Sequence, residues 1–106
     1  MAIYAVQYTY GGDQEAMDAV RPTHKNFLES LYHRGILKVS GPIAAEDGGG
    51  ALLIVEGEYQ DAVAATMDGD PFAEQGFITE RRIRQWNVFF GGFTETPAPA
   101  GRLTEN

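Results

Sequence analysis

The 106-residue chain has no cysteine, a single tryptophan, and only 8 Lys and Arg against 15 Asp and Glu. Without cysteine there is no disulfide, no thiolate metal site and no cysteine nucleophile, and the redox compartment is left undetermined. A net charge of −7 lacks the clustered cations that a nucleic-acid or anionic-membrane surface needs. No apolar run approaches the roughly 20 residues of a membrane span, and no basic segment followed by a long apolar one opens the chain. The expectation is a cytoplasmic protein with neither nucleic acid nor membrane as partner. What is present, 43% hydrophobic residues in a short chain, suits one small domain whose modest burial would gain from association with another copy.

Ala2 to Tyr10 is β-branched and aromatic with large groups on both sides, which predicts a strand covered on both faces. Gly11-Gly12-Asp13 breaks it, and Gln14 to Val20 reads as a short helical turn or a loop. The main helix is predicted to start at Arg21-Pro22, because proline is tolerated in a first helical turn. It should end near Arg34-Gly35, where glycine can take the left-handed conformation. Ile36 to Val39 makes a short strand, cut off by Ser40-Gly41-Pro42. Glu46-Asp47-Gly48-Gly49-Gly50 is a hairpin connection without the flanking elements or lysine of a phosphate loop. Leu52-Leu53-Ile54-Val55, continuously apolar, is a central strand.

Gln60 to Asp68 carries Ala62, Val63, Thr66 and Met67 at helical spacing, with Gly69 placed to end the helix. Asp70-Pro71-Phe72 restarts a helical turn, with Asp70 as N-cap and Pro71 as first helical residue. A long strand is predicted from Phe77 to Phe90. The order β-α-β-β-α-β is the α+β, ferredoxin-like plan, a four-stranded antiparallel sheet with helices on one face. Two helices cover one face only, so strands apolar on both sides call for another cover, most economically a second copy in a homodimer. Residues 1–93 form the domain, and 94–106, with Pro97, Ala98, Pro99 and Ala100, a tail.

Within the main helix His24, Phe27, Leu28 and Leu31 fall at i, i+3, i+4 and i+7, which sets an imidazole on the stripe facing the core. A histidine there is either a core residue donating to a carbonyl or an acid–base group. Asp70 is likewise either only a cap or a cap with a chemical role. Ser40 ends a strand or orients a ligand; Arg21 is a solvated cation or binds a ligand carboxylate. Tyr4, Tyr8, Phe72 and Trp86 are core aromatics or walls of a pocket for a planar ligand. His33 lies on the opposite helix face from His24 and pairs at the surface with Glu29. Nothing has the spacing of a zinc or iron site, and no metal or cofactor is expected.

Taken together, Tyr4-Ala5-Val6, Arg21-Pro22-Thr23-His24, Gly35-Ile36-Leu37, Ser40-Gly41-Pro42, Asp47-Gly48-Gly49, Asp70-Pro71-Phe72 and Trp86 resemble the YCII-related (YciI-like) proteins of the dimeric α/β-barrel superfamily, in that family's order over about residues 1 to 92. The resemblance implies a ferredoxin-like protomer that pairs sheet to sheet with a second copy, and a pocket between sheet and helices for a small-molecule ligand. It also implies that His24 and Asp70 are an active-site pair. With Asp70 fixing the tautomer, His24 would exchange a proton with a small, aromatic or carbonyl-containing metabolite, without a cofactor. The alternative is a non-catalytic binding or accessory domain, in which the same histidine supplies one hydrogen bond.

Overall fold

The computed structural model describes residues 1–44 and 49–93. Most of the hairpin connection read at residues 46–50, and the tail 94–106, lie outside the described residues. The strands are β1 (Ala2–Tyr10), β2 (Leu37–Ile43), β3 (Gly50–Gly57) and β4 (Ile78–Gln85). They form one antiparallel sheet in the order β2-β3-β1-β4. Helices α1 (Gln14–His33), α2 (Gln60–Met67) and the short α3 (Pro71–Glu74) complete the ferredoxin-like arrangement. The apolar run of β3 and its partner β1 are indeed the two central strands.

Strand alternation sorts the core from the other face. Tyr4, Val6 and Tyr8 of β1 stand opposite Val55, Leu53 and Ala51 of β3, and all six are buried with Leu31 of α1 and Val63 and Met67 of α2. Each large apolar group so buried stabilises the fold by roughly 1.5–3 kcal/mol before entropy is counted. The opposite face carries Ala5, Leu52, Ile54, Val39 and Ile43 by the same alternation. Val39 and Ile43 are each 42% exposed. Lys38, buried, pairs with Glu56 at 3.0 Å on this face, and Arg84 donates to Gln7.

Three boundaries differ from the sequence reading. The main helix starts seven residues before Arg21, because the Asp13 side chain accepts from Ala16 N and caps it. Pro22 therefore lies inside α1; it is exposed, so the Asp18 carbonyl that loses its donor can be solvated. β2 runs through Ser40-Gly41-Pro42 to Ile43, since β2 is an edge strand and a proline there costs no ladder bond on its free side. β4 stops at Gln85, leaving Phe89 and Phe90 outside the sheet, 86% and 94% exposed.

Gly35 closes α1 with φ 79° as expected. Gly69 has no left-handed φ. Its need is space, because a Cβ there would lie 3.2 Å from the Phe27 ring of α1. That close approach brings the segment carrying Asp70 down onto the helix carrying His24.

Candidate functional site

Asp70 stands at the start of α3, and its local geometry follows from the Asp-Pro pair. The backbone is extended at Asp70 (φ −66°, ψ 126°), Pro71 opens the helix, and Asp70 Oδ1 accepts from Phe72 N at 2.9 Å. The carboxylate is completely buried and takes two further bonds. Oδ1 lies 2.7 Å from His24 Nδ1, and Oδ2 accepts from the Tyr8 hydroxyl at 3.1 Å. An ionised carboxylate only accepts, so the tautomer assigned from this geometry carries its proton on Nδ1, and Nε2 presents a lone pair.

His24 is 6% exposed and lies flat on Phe72, with ring centroids 4.0 Å apart and planes 4° from parallel. Phe72 is itself held edge-on by Tyr10 at 5.5 Å and Phe77 at 5.7 Å. Position and plane of the imidazole are thus fixed by an aromatic floor and a carboxylate behind the ring. Nε2 has no hydrogen-bond partner among the described residues. His24 lines the cavity beside it, so Nε2 is the ring nitrogen left for a ligand.

The space beside it is a cavity of about 430 Å³ between α1 and the β2 half of the sheet, lined by Arg21, His24 and Lys25 with Ser40, Leu28 and Leu53. An adjoining cavity of about 410 Å³ shares the walls formed by Tyr10, Arg21 and Pro42. Arg21, His24, Lys25 and Leu28 are one helical stripe, at i, i+3, i+4 and i+7. The Arg21 guanidinium lies 5.5 Å from the Phe72 centroid and pairs with Asp18 at 3.2 Å, a surface pair worth about 0.5 kcal/mol. Among the described residues, no three carboxylate or imidazole side chains gather as a metal site.

Burial first, and the Asp70 charge second, push the Tyr8 phenol far above its ordinary range. The same two causes push Tyr10 up to about 12, with Arg21 acting in the opposite sense. Both therefore remain hydroxyl donors well beyond neutral pH.

Of the residues singled out in the sequence, His24 and Asp70 are in contact, and Arg21 and Ser40 line the cavity. Tyr8 does not face it; its hydroxyl is spent on Asp70. Phe72, fully buried, is the floor beneath His24 rather than a wall open to a ligand. Trp86 is not in the site. Its backbone N–H bonds Ile3 O at the far end of β1, and the residue, 43% exposed, packs its ring on Phe93. His33 is a surface residue 3.7 Å from Glu29. Cavity residues missed in the sequence include Tyr10, Lys25 and Leu28. Lys25 and Leu28 share the helical stripe of His24, so periodicity alone was sufficient to find those two; Tyr10 has no such signal, since Tyr8 on its strand face does not line the cavity.

Residues 1–87 match the YCII-related domain family. None of the curated proteins matches the chain. Among solved structures, 5-chloro-2-hydroxyhydroquinone dehydrochlorinase (TftG) from Burkholderia phenoliruptrix AC1100, in complex with 2,5-dihydroxybenzoquinone, is similar over 80% of this chain and 93% of its own, with 24% identity and a TM-score of 0.68. A protein described as an antibiotic biosynthesis monooxygenase is similar over 84% of this chain and 99% of its own, with 14% identity and a TM-score of 0.52. At these identities the likeness is one of fold. With the match covering most of its length and the ferredoxin-like sheet in place, the chain belongs to the YCII-related domain family.

Proposed function

We propose that the protein is a small-molecule enzyme that moves a proton by general acid–base chemistry, with His24 as the exchanging group and Asp70 as its orienter. The observation that carries this reading is the 2.7 Å contact from His24 Nδ1 to a buried carboxylate, with Nε2 left open. The lone pair on Nε2 takes a proton from a carbon or oxygen acid bound in the cavity. The electron pair left behind passes into an adjacent carbonyl or ring, and the proton is later returned to substrate or water. Asp70 keeps its proton-accepting role occupied by three donors, so it holds the ring and faces the positive charge that develops there. A dehydrochlorinase among the neighbours of the same fold is consistent with chemistry of this kind on a hydroxylated ring.

The test is solvent deuterium incorporation, followed by NMR, into a panel of small phenolic and carbonyl compounds. Wild type is expected to catalyse exchange into at least one of them, and His24→Gln to lose about 10²–10⁴-fold of the rate with its circular dichroism unchanged. Exchange that persists in His24→Gln overturns the catalytic role. A ligand that binds without any exchange would favour the binding-domain alternative.

The reading includes a homodimer. The sheet face away from the helices joins Val39, Ile43, Leu52 and Ile54 in an apolar strip with the Lys38–Glu56 and Arg84–Gln7 pairs at its margins. That pattern, apolar centre and polar rim, suits a second copy.

A further inference from the structure

The charge around the cavity runs against the charge of the chain. Among the described residues, no carboxylate lines the space beside His24, whereas Arg21 and Lys25 both do, on a chain with 15 acidic residues against 8 basic ones. The adjoining cavity shares Arg21 and, among the described residues, also has no carboxylate in its walls. Asp70, the nearby buried acid, stands behind the imidazole with both oxygens occupied. Asp18, one turn before Arg21, pairs with it at 3.2 Å and is itself exposed.

Neutral donors add to the cations. Ser40 and Tyr10 are on the cavity walls, and neither hydroxyl has a hydrogen-bond partner among the described residues. The remaining surface is apolar, from Leu28, Leu53, Ala51 and Pro42. A space of about 430 Å³ with such walls accommodates a single substituted ring.

We infer that the ligand of this cavity is a ring-sized organic anion, a carboxylate or phenolate, whose oxyanion is received at Arg21 and Lys25 while its ring lies on the apolar wall within reach of His24. The inference rests on the proton-transfer reading only in taking this cavity as the ligand site. Arg21 is the principal determinant, because its guanidinium offers a planar fork of donors to an oxyanion. It also stands at the junction of the two cavities. Lys25, one turn further along α1, adds a second charge on the same side. On an otherwise acidic protein, this local positive field admits anions and disfavours cations of equal size.

The experiment is an NMR titration of the full-length protein with benzoate and para-nitrophenolate, each against its neutral counterpart, benzamide or nitrobenzene. At least one anion is expected to perturb the α1 and β2 amides and to bind about tenfold or more tighter than its counterpart. The preference should weaken with added salt and disappear in Arg21→Gln. Which anion prefers the site distinguishes a carboxylate from a phenolate ligand. Equal binding of the neutral compounds, an unchanged preference in Arg21→Gln, or no perturbation by either anion overturns the inference. His24→Gln should retain the anion preference, so loss of the proton-transfer reading and loss of this one are separate results.

Discussion

At the scale of single residues, Asp70 couples stability and site geometry through its three donors. Tyr8→Phe leaves Oδ2 buried without its hydroxyl donor, and a cost of about 1–3 kcal/mol in urea unfolding at neutral pH is expected. The same variant carries a pH signature. Tyr8 and Tyr10 hold their protons more tightly in the folded protein than in the unfolded chain, where a phenol titrates near about 10. Their contribution is therefore fully present below about pH 10. It is lost as pH rises through the folded values, which for Tyr10 is about 12. Thermal melts across this alkaline range should fall steeply for wild type and less steeply for Tyr8→Phe. Parallel profiles would show that Tyr8 is not held protonated by the fold. Asp70 was legible as a cap because Asp before Pro is a local signal, but its meeting with His24, 46 positions away, was joined only by the family resemblance. Tyr8 stays open between core and pocket wall in the sequence, because an aromatic near a strand end does not reveal that its hydroxyl goes to Asp70.

At the scale of elements, local breaker rules misled where tertiary placement made the breaker harmless. Arg21-Pro22 reads locally as a helix start, yet Asp13 caps α1 earlier and buried Met17 anchors the added turns. Ser40-Gly41-Pro42 reads locally as a strand end, yet β2 is an edge and tolerates the proline. The Arg21–Leu28 stripe survived the boundary error, since periodicity depends on spacing and not on where the helix begins. Pro22→Ala should restore the N–H that bonds the Asp18 carbonyl. It is expected to stabilise α1 by about 1–3 kcal/mol in urea, less any unfolded-state entropy regained, with the amide shifts around His24 retained. A less stable Pro22→Ala protein would mean that proline serves the helix in this place. The N-terminal part of the long final strand was read correctly, but its apolar end was over-extended: Val88, Phe89 and Phe90 lie beyond the last residue of β4, and hydrophobicity alone does not supply a ladder partner.

At the scale of the whole molecule, the second sheet face was foreseen from strands apolar on both sides, and the alternation in β2, β3 and β1 sets Val39, Ile54 and Ala5 side by side there. If a second copy covers this face, Val39→Asp or Ile43→Asp should shift the sedimentation of the protein from dimer to monomer at micromolar concentration, because each would bury a charge against the strip. A wild-type monomer, or dimers insensitive to both changes, would place the association elsewhere. The linkage of Tyr8, His24 and Asp70 also sets an order in time. Synthesis delivers the histidine early and the aspartate late, so a growing chain carries an unoriented imidazole until the segment opening α3 has emerged and docked. On the proposed reading, proton-transfer competence then arrives in one step, near the completion of the sheet by β4, and a chain truncated before residue 70 would lack it whatever secondary structure it had gained.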